Sequence, residues 1–263
     1  IQNPYERSKT ITSYIDQYVE QKNLNKMVNK FNILFNIPNE TIKFEIKQIL
    51  IRELNFEKGY FSKKFEINKI FHSSLEYILS IIWIFYFSKK TDKKKSELVI
   101  DEIESEEQAE RFSSILNKFE SYIFISNKNI NKKYNYYKFH KYKNCDKNFI
   151  FKNFINFIII FFQSIKTSIV LKTNIVYIIS KIIKKIIKYE TLFNQTESKI
   201  LIQERSYTTS SIKNFLFKKH GGKITSCLQK NIVQFRSEAY YVNIDYFFSL
   251  GKKSTNLFQI TGG

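Results

Sequence analysis

The stretch from Asn153 to Lys188 constrains this chain more than any other. Asn153–Leu171 is apolar over nearly the length that crosses a bilayer, about 20 residues, but Asn156, Gln163, Ser164 and Lys166 interrupt it. Ile175–Ile187 repeats the texture with Lys181, Lys184 and Lys185 inside it, and Ile178–Lys188 ends amphipathic and basic. A third run, Ile78–Phe87, covers only about half a membrane span. All three are read as helices buried in protein, so the fold must be built around packed helices.

The flanks agree with that reading. Ser8–Phe56 has helical spacing broken at Ile37–Pro38, and Asn39-Glu40-Thr41 opens a new helix over Ile42–Leu54. Phe65–Ser88 reads as a further helix, apolar on most faces and therefore buried, with His72 as a hydrogen-bonded core histidine. Lys89–Lys95 is a charged surface connection. Glu97–Glu110 carries seven acidic residues and sparse apolar ones such as Leu98 and Ile103, which predicts a solvated helix face that docks on a basic neighbour. Thr191–Lys199 is polar and reads as a linker.

The texture changes after Ile200. Ser210–His220 is a helix with Ile212, Phe215 and Leu216 inward and Lys213, Lys218 and Lys219 outward, stopped by Gly221-Gly222. Lys223–Leu228, Phe235–Val242 (continued by Asn243–Tyr246) and Leu257–Thr261 have strand character. The expected fold class is α+β. A mostly helical region, 1–190, carries a basic aromatic loop at 128–152; a linker, 191–199, leads to a small two-layer α/β module at 200–263.

Charge enters next. Lys and Arg outnumber Asp and Glu by 43 to 24, a net charge of +19, and 38 of the basic residues are Lys. Ile, Asn, Lys, Phe and Tyr make up 147 of 263 residues. These are the residues of AT-rich codons, so part of the Lys content reflects an AT-rich genome such as an organelle's. Lys128–Lys152 is basic beyond that background, with eight lysines against one acid, Asp146. Tyr134, Tyr136, Tyr137, Phe139 and Tyr142 are interleaved with them. Lysines neutralise phosphate and aromatic faces stack on unpaired bases. Lys132, Lys133, Lys138, Lys141 and Lys143 are therefore candidate RNA contacts.

Other classes fall away. At 43% hydrophobic the chain is not wholly disordered, and Cys145 and Cys227 cannot form a disulfide framework. No G-x-x-x-x-G-K-[ST] loop, G-x-G-x-x-G fingerprint or G-x-S-x-G elbow occurs. His140, Cys145, His220 and Cys227 match no closed zinc spacing. The lone Asp245 reads as structural. The chain is read as a non-enzyme, with no catalytic residue, metal, cofactor or small-molecule substrate.

The last sixty or so residues resemble the C-terminal domain of the small-subunit ribosomal protein three family. There a basic helix leads to a G-[IV]-[KR]-[IV] strand, then to a strand ending like R-A-x-I-D-Y, then to a T-T-Y-G-x-x-G turn. Here Ser210–His220 leads to Gly221-Gly222-Lys223-Ile224, then to Tyr241-Val242-Asn243-Ile244-Asp245-Tyr246, and Thr255–Gly262 closes the module. The family's S-G-R-x-x-G turn is replaced by Cys227-Leu228-Gln229-Lys230, and residues 1–190 contain no G-x-x-G clamp. The resemblance implies a seat in the head of the small subunit, beside the path by which mRNA enters. It implies contacts with ribosomal RNA and neighbouring small-subunit proteins, with mRNA close by. It also implies that Arg205, Lys213 and Lys223 face RNA; local charge adds Lys218, Lys219, Lys230 and Arg236.

Together these readings predict a structural, RNA-binding constituent of an organellar small ribosomal subunit in the mitochondrial matrix. The alternative is a lineage-specific accessory subunit of a mitochondrial respiratory-chain membrane complex, motivated by the apolar helices.

Overall fold

The computed structural model describes residues 4–53, 67–87, 94–126, 128–131, 133–138, 147–203, 209–228, 241, 243–249, 251–252 and 255–256. The fold is α+β. Its first three helices are α1 (Pro4–Val19), α2 (Lys22–Phe35) and α3 (Asn39–Glu53). In α2, Leu24, Met27, Val28, Phe31 and Phe35 are buried at helical spacing, and Asn36 ends the helix in the left-handed region with φ 52°. Pro38 has no N–H to donate to a continuing helix, so α3 starts afresh behind it.

α4 (Ile67–Phe87) follows, then strand β1 (Lys94–Lys95) and strand β2 (Leu98–Asp101). The acidic run is thus not a single solvated helix. Its first part is β2, all four residues buried, and only Glu106–Glu110 is helical, as α5. Ser105 caps α5 by accepting from the Gln108 amide at 3.3 Å. The signal lay in Leu98-Val99-Ile100, a continuous apolar run of the kind found in a strand covered on both faces. The density of acids around it hid it.

After α6 (Ser113–Leu116) come β3 (Tyr122–Ser126), β4 (Tyr136–Lys138), α7 (Lys147–Lys152), α8 (Phe154–Leu171) and α9 (Ile175–Gln195). The expected linker is not one. Thr191, Leu192 and Phe193 are buried in the last turns of α9, and Thr196–Glu197 forms β5, paired with β1. β6 (Ile200–Gln203), α10 (Ser211–Lys219), β7 (Ile224–Leu228) and β8 (Tyr246–Phe248) complete the described elements. The expected strands at Phe235–Val242 and Leu257–Thr261 lie outside the described residues, except for Tyr241, which sits in a helical turn.

Among the described residues, six strands form one sheet in the order β4-β3-β2-β6-β7-β8, and every neighbouring pair is parallel. The chain enters at β2, steps outward through β3 to β4, crosses back beside β2 and steps outward again. This is the doubly wound order, with its switch point between β2 and β6. The sheet therefore joins strands from 98–138 to strands from 200–248, rather than belonging to the C-terminal segment alone.

Alternation along the strands divides the core. Leu98, Ile100, Phe124 and Ile202 pack with Phe112 and Leu116 of the α5–α6 side. Val99, Ile123, Ile125 and Leu201 face the larger helical layer of α1–α3, α9 and α10. α9 is the centre of that layer, burying Ile175, Ile178, Ile179, Ile182, Ile183, Ile186 and Ile187. Tyr241 reaches back to the first helix, donating to Asp16 Oδ1 at 3.0 Å, while its carbonyl accepts from Gln48 at 2.7 Å.

α4 and α8 depart from the expectation of full burial. Each buries one face and leaves a second apolar face open to solvent. His72 is correspondingly exposed, on the outside of α4, and is not a core histidine.

Candidate nucleic-acid interface

Residues just before β2, β6 and β7 are held level by the parallel register, which pairs Leu98 with Ile200 and Ile200 with Ile224. Glu97, Lys199 and Lys223 thus stand side by side at the strand starts. The Lys223 amide donates to the Lys199 carbonyl at 2.8 Å, and the Lys199 amide to the Glu97 carbonyl at 3.1 Å. Adjacent strands lie about 4.8 Å apart, so the exposed Lys199 and Lys223 leave the backbone at nearly that spacing.

The end of α10 extends this edge. Gly221, at φ 94°, turns the chain out of the helix in a conformation that strains other residues. Gly222 lies against the Phe217 ring, where an added Cβ would sit 2.3 Å from the nearest ring atom. The turn thus holds Lys218 and Lys219 close to Lys223. Lys218 donates to Asp245 Oδ1 at 2.5 Å and Lys219 to Glu190 Oε1 at 3.2 Å. Burial alone would raise Glu190, but its interactions with His220 and Lys219 outweigh it and hold the carboxyl below its ordinary range. On the far side, Lys95 bridges to Glu197 at 3.0 Å. Neither Lys95 nor Lys199 is legible in the sequence, because only strand pairing sets Lys199 beside Lys223 and Lys95 beside Glu197.

Asp245 is a structural clamp. It accepts from the Thr225 amide at 2.8 Å and hydroxyl at 3.0 Å, fastening the entry to β8 onto β7. Its slight burial is outweighed by Lys218 and the Thr225 donors, so its carboxyl lies below the usual range.

Lys213 does not face a partner. It is 1% exposed and donates to Asp101 at 2.9 Å and Glu102 at 3.1 Å. The first turn of α10 is buried around its whole circumference, and the carboxylate at the end of β2 needs a counterion there. Lys133 is exposed and pairs with Glu110 at 3.1 Å, with its ammonium 4.9 Å from the centre of the Tyr134 ring. Lys138 lies in β4, the sheet's edge strand. Lys132, Lys141, Lys143, Arg205, Lys230 and Arg236 lie outside the described residues. The structure therefore brings Lys218, Lys219 and Lys223 together and removes Lys213.

Among the described residues, side chains occupy the opposite end of the sheet. Doubly wound sheets bind ligands in the crevice at the carboxyl ends of the strands flanking the switch point. Here that place, between Asp101 and Gln203, holds the Lys213 ion pairs and a second buried network. Gln203 donates to Asn214 Oδ1 at 2.9 Å, and Thr209 donates to Gln203. Among the described residues no group of His, Cys, Asp and Glu is arranged to hold a metal ion. Cys227 is buried in β7, which pushes its thiol up to about 12.

Compared with known protein families, curated proteins and solved structures, the chain matches none of them.

Proposed function

We propose that this chain is a structural, RNA-binding constituent of the small subunit of a mitochondrial ribosome. The observation that carries the reading is the strand-start edge of Lys199, Lys223, Lys218 and Lys219 on a chain of net charge +19. Two lysines fixed side by side by strand register, Lys199 and Lys223, with Lys218 and Lys219 at the end of the adjoining helix, suit a phosphate backbone, where charge and spacing matter more than base identity. A seat in the head beside the path of incoming mRNA is the finer part of the proposal, and it rests on Gly221–Ile224 and Ile244–Tyr246. Neighbouring small-subunit proteins are proposed as further partners.

Sedimentation of a mitochondrial lysate on a sucrose gradient tests the proposal, with the chain expected to co-migrate with small-subunit RNA. Migration with a detergent-solubilised respiratory complex would favour the second reading. That reading has its own observation: Phe154–Leu171 is long and apolar enough to cross a membrane and is mostly unburied.

The contacts are testable separately. Lys199→Ala and Lys223→Ala should each flatten the dependence of log affinity on log salt by about 0.7–0.9 unit. Titration of the full chain with a structured RNA at several salt concentrations reads this directly. An unchanged slope in both variants would remove the strand-start edge from the interface.

A further inference from the structure

We infer that the outer face of the α4–α8 pair is a docking site for an amphipathic helix of another protein, apolar on one side and acidic along its borders. This goes beyond the ribosomal reading and does not depend on it.

The two helices run antiparallel. Near the start of α4, the Lys69 carbonyl and Ser73 hydroxyl accept from Asn174, just past the end of α8, at 3.2 and 2.9 Å. Midway, Tyr77 donates to the Phe157 carbonyl at 2.8 Å and stacks on Phe161 with ring centres 5.1 Å apart. At the far end, Lys147, which opens α7, sits over Phe85. α9 packs beneath both helices, and α2 also covers the inner face of α8, with Phe35 stacked on Phe157 at 5.5 Å; Ile70, Tyr77 and Ile81 of α4 and Phe157 and Ile160 of α8 are buried on these inner faces.

The outer faces have their own periodicity. On α4 the exposed Phe71, Leu75, Ile78, Ile82 and Phe85 follow one another at steps of four, three, four and three. On α8 the exposed Ile155, Ile158 and Phe162 step by three and four, and Ile169 lies seven further on. This is the 3.5-residue spacing of a helix–helix seam. Two antiparallel seams side by side leave a groove between them, and one more helix laid in it completes a four-helix arrangement with α4, α8 and α9. Phe71 is 61% exposed and Phe162 64%, in a chain that supplies lysine freely to other solvent-facing positions.

The borders select the occupant. Lys152, Lys166 and Lys172 are exposed before, along and just past α8. The exposed Glu76 beside the α4 seam is tied to Lys184 at 2.5 Å. A cationic border along the α8 side of an apolar groove complements a helix carrying Glu or Asp beside its apolar stripe. The same border disfavours a second copy of this chain, which would oppose lysine to lysine. Asn68, His72 and Glu76 interrupt the apolar surface on one side of the α4 seam, with Leu79 exposed among them, a mixture that suits a helix better than a lipid slab.

The test uses the full-length chain and a synthetic 28-residue helical peptide with Leu and Ile at 3.5-residue spacing and Glu flanking them. A scrambled peptide of equal charge and a Lys-for-Glu peptide serve as controls. The acidic helix should bind, and both controls should bind at least about tenfold more weakly. Phe71→Glu with Phe162→Glu should weaken binding at least about tenfold, with the circular-dichroism melt unchanged because both side chains are solvent-exposed. Absence of binding, equal binding of the scrambled peptide, or indifference to the double substitution would overturn the inference. So would capture of phosphatidylserine vesicles, or self-association seen by sedimentation equilibrium, that the double substitution abolishes while peptide binding survives.

Discussion

Replacing Lys213 with methionine is expected to lower the unfolding free energy by about 3–5 kcal/mol, the cost of leaving a buried charge without its partner. Asp101 is 2% exposed at the end of β2, and its charge is met by Lys213 at 2.9 Å. Burial would raise its carboxyl, but Lys213 and Lys188 together hold it below its ordinary range. Methionine keeps the length and bulk of the side chain, so the loss reports charge and not a cavity. Adding Asp101→Asn to Lys213→Met should return a large part of the stability, because the orphaned charge is then gone. Urea unfolding of the two single variants and the double variant measures the coupling. A single variant as stable as the parent would show that Lys213 is not the counterion. Had Lys213 faced RNA, its loss would instead have flattened the salt dependence of binding and left the unfolding midpoint in place.

The second large effect lies at Glu45, which is fully buried on α3 and joins three elements. It accepts from Lys185 of α9, from the Ser210 hydroxyl at 2.7 Å and from the Ile212 amide of α10 at 3.3 Å. Ser210 is the N-cap of α10, so the carboxylate also lies where a helix dipole favours negative charge. Lys185→Met should cost about 3–5 kcal/mol by stranding that carboxylate.

Its pH dependence has a defined sign. Burial pushes Glu45 up, but Lys185, Ser210 and the Ile212 amide outweigh it and hold the folded-state carboxyl below its usual value. Such a group contributes stability that is present above the unfolded-state value, about 4.3, and is lost as pH falls through the folded-state value. The parent should therefore lose stability on acidification below about pH 4–5. Lys185→Met should lose much of that acid limb, since its Glu45 is no longer held down by a cation. Unfolding midpoints measured between neutral and acid pH compare the two slopes. Parallel profiles would mean that Glu45 is not the group responsible.

Both effects show where local pattern stops informing. Lys213 and Lys218 are five residues apart on one short helix, and from sequence both looked like solvent-facing cations. Lys218 does face solvent; Lys213 is drawn inward because a strand more than a hundred positions earlier ends in a carboxylate under the first turn of α10. Glu45 sits among ordinary amphipathic helix positions and carries no local mark of its burial. Its environment is made by α9 and α10, far along the chain. Lys199 and Lys223 show the same limit in the other direction, being neighbours only through parallel register.

The sequence by itself determined most of the long helices and some of their ends. Spacing of apolar residues and breaks such as Ile37–Pro38 and Gly221-Gly222 act within a few turns of chain. It determined the α+β class for the same reason, since the texture changes after Ile200. Tertiary structure alone decided that Leu98–Asp101 is a central strand, that Thr191–Gln195 completes a core helix, and which face of α4 and α8 meets α9. Each of these depends on what covers a segment from outside. A short apolar run is a strand or a helix turn, and an apolar face is core or surface, according to partners that lie tens to hundreds of residues away.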